Sequence, residues 1–416
     1  MTPFVKCYDG LIKSLEDAGY EQGENFFVYN YDWRKSLDSA ADELKNFLDN
    51  HLGLSTTKVN LVGHSLGGMV ARSYSQKYGI EKIDKLITVG SPHSGALQPY
   101  LIWEGGQINL RTSWQEVALQ LLLEINKTDY QTNVLVLREL APSIKDIMPT
   151  FNFLKRDSVE IDWQTLNQKN DYLNGLQTDV SQIFDPLAAI FGTSGDTPRW
   201  YQVENPSVVE KLLGKWEDGK PVATENDNGD QTILSMSAQI SGDSAESLDL
   251  NHRELIEKEA GIKKILQLLG ISEDTSVEKS VLDRENSLIF LLASPASLKV
   301  TAPGGTEFTS DEDGFVVIDN PQDGDYQTEV TPIGDGGDYH LYLGQLTREE
   351  DLWTQIKENV GVDETDTFEF EINSESPTAN PLVDLNGLDY LQLVKSRLLP
   401  LNLPSKTMSN LLPLST

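Results

Sequence analysis

The stretch Lys58-Val59-Asn60-Leu61-Val62-Gly63-His64-Ser65-Leu66-Gly67-Gly68-Met69-Val70-Ala71-Arg72 decides the fold. Lys58 to Val62 reads as a short apolar strand, Met69 to Tyr78 as a helix closed by Gly79, and Gly63 to Gly67 fits G-x-S-x-G between them. Glycines there let the chain turn sharply and hold Ser65 strained, with its hydroxyl presented above the end of the sheet. A bare G-x-S-x-G is weak; strand, elbow and helix together are specific. The competing reading is a glycine-rich turn that only packs a helix on a strand. A phosphate loop is disfavoured, because neither G-x-x-x-x-G-K-[ST] nor G-x-G-x-x-G is present.

Outward from the elbow, Leu11, Leu15 and Ala18 suit a short helix, and the aromatic-rich Asn25 to Tyr31 is strand-like. From Ser36, apolar Leu37, Ala40, Ala41, Leu44, Phe47 and Leu48 recur at helical spacing, and Lys85 to Val89 reads as another strand. This alternation predicts an α/β core, a mostly parallel sheet with helices on its faces. Between Gly95 and about Asp185 it gives way to helical stretches such as Trp114 to Ile125 and Val180 to Phe184, as expected of an inserted cap. Pro186 to Phe191 returns to the sheet as a buried strand, and Leu255 to Leu269 is helical by periodicity.

The acidic Ser272 to Glu285 suits a domain boundary. Beyond it lie short strands: Leu298 to Thr301, Phe315 to Ile318, Tyr326 to Thr331, Tyr339 to Leu343 and Phe368 to Ile372. Turns at Pro303-Gly304-Gly305, Asp323-Gly324 and Gly336-Gly337 separate them, which predicts a small all-β sandwich over residues 286–373. The tail, 374–416, is expected to hold one helix near Leu388 to Leu399.

Composition sets limits on this reading. The 416 residues suit two or three domains, and 7 Trp, 14 Tyr and 13 Phe exclude general disorder. A net charge of −32 without a Lys/Arg cluster argues against nucleic-acid partners. Cys7 is the one cysteine, so no intramolecular disulfide forms, and no Cys/His spacing resembles a zinc site. No apolar run reaches membrane-spanning length, and Met1 to Lys6 lacks the features of a signal peptide.

A serine nucleophile needs a base, and the chain has five histidines: His51, His64, His93, His252 and His340. With the order Ser, Asp or Glu, His, only His252 and His340 qualify. His340 alternates within a β-strand, so His252, at a helix entry, is the expected base. His51 ends an amphipathic helix, and His64 sits inside the elbow with its ring directed away from the serine. His93, in Ser91-Pro92-His93-Ser94-Gly95, is read as packing in preference to pocket lining. Asn228-Gly229-Asp230-Gln231-Thr232 is a turn before the apolar-alternating Ile233 to Ile240, and makes Asp230 the leading acid, with Asp227 and Asp218 as competitors.

These pieces together resemble the lecithin:cholesterol acyltransferase family, with its phospholipid:diacylglycerol acyltransferase and phospholipase relatives, of the α/β-hydrolase superfamily. The resemblance is carried over about residues 8–260 by Tyr31-Asp32-Trp33-Arg34, the elbow, Gly90 to Gly95, Ala141 to Thr150, Gly229 to Thr232 and Asn251-His252. It implies that residues 1–280 form a hydrolase domain with a cap at about 95–185, and that Ser65, Asp230 and His252 are its triad. The amide of Leu66 would then be one oxyanion donor. Asp32, Trp33 and Arg34 are expected to support a loop beside the site, with direct substrate contact the alternative.

The family's upstream strand and Gly-containing loop, source of the second oxyanion amide, have no recognisable counterpart in residues 1–24. The expectation is an N-terminally truncated chain or an alternative donor, since losing one such donor costs about 10²–10³ in turnover.

The β module looks like an immunoglobulin-like accessory domain of a secreted enzyme, which suggests an extracellular or cell-surface setting. Its Asp311-Glu312-Asp313-Gly314 and Asp335-Gly336-Gly337-Asp338 turns read as solvated acidic turns rather than calcium sites. The expected function is lipid acyl hydrolysis or O-acyl transfer on an ester lipid, with no metal or cofactor; the alternative is a catalytically impaired, hydrolase-like surface or binding protein.

Overall fold

A computed structural model describes residues 6–52, 58–107, 132–240, 244–271, 277, 287–293, 296–310, 314–346, 351–373 and 383–384. The chain divides into two compact units, Met1–Leu282 and Asp283–Thr416. Trp114 to Ile125, most of Ser272 to Glu285, Asp311 to Asp313 and Leu388 to Leu399 lie outside the described residues.

In the first unit, α1 (Asp9–Asp17) is followed by α2 (Leu37–Leu52), β1 (Val59–His64), α3 (Leu66–Tyr78) and β2 (Ile83–Val89). Next come α4 (Gln98–Gly105), α5 (Asn133–Leu140), α6 (Ser143–Asp146), β3 (Leu154–Arg156), β4 (Val159–Ile161) and α7 (Asp171–Thr178). The chain continues through β5 (Leu187–Gly192), β6 (Gly195–Glu204), α8 (Val208–Leu212), β7 (Lys220–Gly229), α9 (Ser235–Ala238) and β8 (Ser244–Leu248), and ends in α10 (Glu254–Glu257) and α11 (Glu259–Leu269). Four strands pair in parallel in the order β1-β2-β5-β8, so the expected α/β core is present.

Alternation along β2 sends side chains to both faces of this sheet. Leu86 joins Leu37, Ala41, Leu44, Met69, Val70 and Tyr74 under α2 and α3. Ile87 and Val89 join Cys7, Leu11, Leu255, Ile262 and Leu266 under α1, α10 and α11 on the other face. Each side of the strand is thus buried by apolar helix faces, which favours the continuous Leu-Ile-Thr-Val run over an alternating one.

The cap departs from the helical expectation. A second, mixed sheet of order β4-β3-β6-β7 accompanies its helices. The sequence of β7, Lys220-Pro221-Val222-Ala223-Thr224-Glu225-Asn226-Asp227-Asn228-Gly229, is mostly exposed and shows no apolar alternation; its register comes from pairing with β6. Leu97, Tyr100, Trp103, Leu137, Phe153, Tyr201 and Trp216 form the cap's own core, and Trp33 packs against it.

Three further readings are corrected. Asn25 to Tyr31 is not a strand: its one ladder contact is the Gln22–Phe26 bridge, and Phe27 and Tyr29 pack instead against Phe47 of α2. The apolar pattern of Ile233 to Ile240 contains α9, one helical turn, rather than an extended run. The helix expected over Leu255 to Leu269 is broken at Lys258, which is extended at φ −84°, ψ 149°. Gly261, in the turn after the break, is packed against the Leu255 carbonyl, where a Cβ would collide.

The second unit is all-β. Its strands are β9 (Ser287–Ala293), β10 (Ala296–Thr301), β11 (Glu307–Thr309), β12 (Phe315–Asp319), β13 (Gly324–Pro332), β14 (Gly337–Leu346), β15 (Asp351–Val360), β16 (Asp366–Ile372) and β17 (Val383–Asp384). They form two antiparallel sheets, β11-β10-β13-β16-β17 and β12-β9-β14-β15. Leu288, Phe290 and Leu341 from one sheet and Val300, Tyr326 and Phe370 from the other share a single core.

Leu86 is 0% exposed at the centre of the first core. Leu86→Ala should lower unfolding stability by about 2–5 kcal/mol through lost transfer energy and a residual cavity, read from urea denaturation of the full chain.

Candidate active site

The elbow forms as its sequence predicts. Ser65 has φ 52° and ψ −124°, a conformation costly for a non-glycine residue, and α3 begins at the next residue. The Ser65 amide donates to the Val89 carbonyl at 2.8 Å, which ties the turn to the end of β2. A Cβ on Gly63 would lie 2.5 Å from the Gly68 nitrogen, and one on Gly68 would collide with Ser91 Oγ and approach the Gly63 carbonyl to 2.9 Å. These two glycines are required because strand and helix backbones touch. Leu66 opens α3, so its amide belongs to the first-turn N–H groups that have no intrahelical acceptor.

His252 and Asp230 meet. His252 Nδ1 lies 2.7 Å from Asp230 Oδ2, with the His252 side chain 17% and the Asp230 side chain 1% exposed. A carboxylate oxygen accepts, so Nδ1 carries the proton and Nε2 keeps the lone pair. The other oxygen of Asp230, Oδ1, accepts from the amides of Thr232 at 3.0 Å and Ile233 at 2.6 Å, an Asx-type turn that fixes the carboxylate. The turn is closed by Asp230 N–H to the Ile233 carbonyl at 3.1 Å, with Gln231 at φ 73° and its amide on Thr197 Oγ1 at 2.8 Å.

His252 follows Asn251, whose Oδ1 accepts from the Arg253 and Glu254 amides at 3.2 and 2.9 Å and so caps α10. The Glu254 carboxylate returns to the Asn251 amide at 2.9 Å, where it accepts. The His252 ring lies over Gly90, directly after β2; a Cβ there would stand 3.1 Å from Nδ1. Gly192, the last residue of β5, faces Asp230 in the same way, its added Cβ 2.6 Å from the Asp230 Cβ. Ser65, His252 and Asp230 therefore sit at the carboxyl ends of β1, β2 and β5, where parallel α/β sheets place their sites.

The competitors go elsewhere. Asp218 accepts from the Asn167 and Gln168 amides at 2.7 and 2.9 Å inside the cap, and Asp227 accepts from the Asn228 amide at 2.8 Å. His51 caps the Phe47 carbonyl at 2.8 Å, and His340 belongs to β14 of the second unit. His93 is fully buried, with Nε2 2.9 Å from Thr88 Oγ1, and its carbonyl accepts from Arg72 Nη1 at 2.8 Å and Gln177 Nε2 at 2.5 Å. Burial, assisted by the Arg72 guanidinium, holds its pKa well below the ordinary value. These contacts fit a packing role for His93.

Arg34 donates from Nε and Nη2 to the two oxygens of Asp32 at 2.8 and 2.7 Å, and this pairing keeps the Asp32 carboxyl below its usual range. The segment then joins the cap: the Ser143 amide donates to the Arg34 carbonyl at 3.3 Å, and Asp146 Oδ2 accepts from the Leu37 amide at the start of α2 at 2.8 Å. Trp33, half-buried, packs against the cap core, and these contacts fit loop support.

The contacts of His64 are with His252 and Tyr8. Its Nε2 is 3.1 Å from the His252 carbonyl, its Nδ1 is 3.1 Å from the Tyr8 hydroxyl, and its ring is 4.7 Å from the His252 ring. Burial first, then the neighbouring His252, pushes its pKa down to about 3. Nothing in the sequence around Tyr8 signals this contact, because it arises only when α1 packs beside α10.

Residues 2–180 match the lecithin:cholesterol acyltransferase family. The match covers the elbow and the Tyr31 to Arg34 segment and ends before Asp230 and His252. No curated protein is matched. Among solved structures, the mature Bacillus licheniformis lipase BlEst2 is 12% identical over 57% of this chain and 76% of its own, with a TM-score of 0.33. The Tle4–Tli4 complex matches at 12% identity over 62% and 74%, TM-score 0.38. A meta-cleavage product hydrolase from Pseudomonas fluorescens matches at 17% over 58% and 73%, TM-score 0.28. Among the described residues, no helix is long and apolar enough to cross a membrane.

Gly68→Ala should displace Ser91 and the Gly63 carbonyl together. We expect loss of any Ser65 reactivity with secondary structure retained, measured by covalent serine labelling beside circular dichroism. Gly175→Ala, where a Cβ would meet nothing within 4 Å, should leave labelling unchanged.

Proposed function

We propose that the first unit is a serine-dependent lipid acyl hydrolase or O-acyltransferase, with Ser65 as nucleophile, His252 as base and Asp230 as its orienting acid. The observation that carries this reading is the 2.7 Å His252–Asp230 pair seated over Gly90, next to the residue whose carbonyl holds the strained Ser65 amide. In the reaction, Ser65 Oγ bonds to the ester carbonyl carbon as its proton passes to His252 Nε2. The Leu66 amide donates to the developing oxyanion. Collapse breaks the ester C–O bond, and the leaving alcohol takes the proton from Nε2. Water or an acceptor alcohol then repeats the sequence on the acyl-enzyme. Every step uses side chains and amides of the chain itself.

The family match over the elbow half of the domain supports lipid esters as the substrate class. An apolar cap core rich in Trp and Tyr supports shelter for an acyl chain. The two antiparallel sheets of the second unit, sharing one core, support an immunoglobulin-like sandwich as an accessory module of a secreted or surface enzyme.

A fluorophosphonate probe on the full chain, followed by peptide mass spectrometry, tests the assignment. Labelling is expected at Ser65, and is expected to vanish in Ser65→Ala and His252→Ala. Asp230→Asn, which reverses the tautomer preference, should slow turnover by up to about 10⁴-fold. A folded wild-type chain that does not label would overturn the enzyme reading in favour of a binding role. Phosphatidylcholine vesicles, with and without a long-chain alcohol, separate free fatty acid from ester product, and so hydrolysis from transfer.

A further inference from the structure

The base is held on more sides than its acid partner accounts for. His252's amide donates to the Asp230 carbonyl at 2.9 Å, its Nδ1 donates to Asp230 Oδ2, and its ring rests on Gly90. Its own carbonyl meets His64 Nε2 at 3.1 Å. A carbonyl oxygen only accepts, so His64 carries its proton on Nε2 and presents Nδ1 as a lone pair. That lone pair accepts from the Tyr8 hydroxyl at 3.1 Å. The Tyr8 and His64 rings are edge-to-face at 5.9 Å, so the hydroxyl bond and the ring contact set one orientation for the imidazole.

We propose that His64, with its tautomer selected by Tyr8, is a positioning residue that clamps the backbone of His252 at its carbonyl, complementing the hold of Asp230 on its amide and ring. The inference rests on the assignment of His252 as base. Its content is geometric. Asp230 fixes the ring's direction and the His252 N–H, while the next peptide unit, which carries the His252 carbonyl, is held at its Arg253 N–H by Asn251 Oδ1 at 3.2 Å. The His64 bond adds a second tie to that unit, at the carbonyl, and so narrows the range of positions open to Nε2. Because His64 is adjacent to Ser65, the bond also spans nucleophile turn and base loop directly.

Loss of one such hydrogen bond is expected to slow the chemical step by about threefold to tenfold for Tyr8→Phe, and by somewhat more for His64→Ala, which removes two bonds. KM should stay within about twofold, since the clamp does not touch substrate. His64→Gln can present an amide N–H where imidazole Nε2 stood, and should recover most of the loss. The experiment measures kcat and KM with a p-nitrophenyl acyl ester, and fluorophosphonate labelling rates, on the full chain carrying each change, with melting temperature as the control for folding.

A kcat loss in Tyr8→Phe and His64→Ala at unchanged melting temperature and KM, with rescue by His64→Gln, supports the clamp. If His64→Ala does not fold, Tyr8→Phe and His64→Gln decide it: a slowed Tyr8→Phe beside a more active His64→Gln supports it, and wild-type kinetics in Tyr8→Phe overturn it. Should His252→Ala label at the wild-type rate, the base assignment itself fails, and the clamp with it. If His252→Ala is silent while Tyr8→Phe and His64→Ala match the wild type, the clamp alone fails.

Discussion

At Gly63 and Gly68 the strand entering the elbow and the helix leaving it lie in backbone contact, with Ser91 Oγ filling the space that a side chain on Gly68 would need. That approach forces Ser65 to φ 52° and brings its amide to the Val89 carbonyl. Once β1, α3 and β2 are locked at this level, Gly90 follows Val89 as a flat platform for an imidazole, and Gly192 leaves the matching space beside β5 for Asp230. Four glycines at three strand ends thus convert sheet packing into site geometry. The strain at one serine is sustained by contacts that would be lost if any of these backbones moved apart.

The cap is bound to the core by an apolar seam, in which Leu173 and Ile183 join the cluster under α2 and α3, and by a few polar bonds. Asp146 accepts from the first amide of α2, Ser143 donates to the Arg34 carbonyl, and Gln76 Nε2 of α3 donates to the Leu176 carbonyl at 2.7 Å. Trp33 packs against the cap core as well, with the Asp32–Arg34 pair beside it. Cap and core therefore meet at the Tyr31 to Arg34 segment, whose rigidity bears on both.

Elements whose signal is local were legible in the sequence. The helix α2, the elbow and the strand β2 carry their periodicity or glycine pattern within a dozen residues, and the structure reproduces them. The turn around Asp230 was likewise visible locally, and the structure gives it an Asx geometry that fixes the carboxylate beside His252. What the sequence hid depends on partners far along the chain. The strand β7 is polar and takes its shape from β6, while Phe27 and Tyr29 prefer an aromatic helix face to a ladder. Tyr8 meets His64 across 56 residues, a contact that no window of local reading contains.

Cys7, buried beside Leu11 and Leu255, has a thiol pushed up to about 12, chiefly by burial and then by the nearby Glu257 carboxylate. Thiolate, not thiol, is the reactive form. The chain's one sulfhydryl is therefore held as the thiol at neutral pH, so covalent labelling of the folded protein by an acylating or phosphonylating electrophile does not arise from sulfur. The same protonated sulfur sits under α10, on the far side of the helix whose first turn follows His252, so its exposure to a thiol reagent would serve as a built-in gauge of whether that layer has opened.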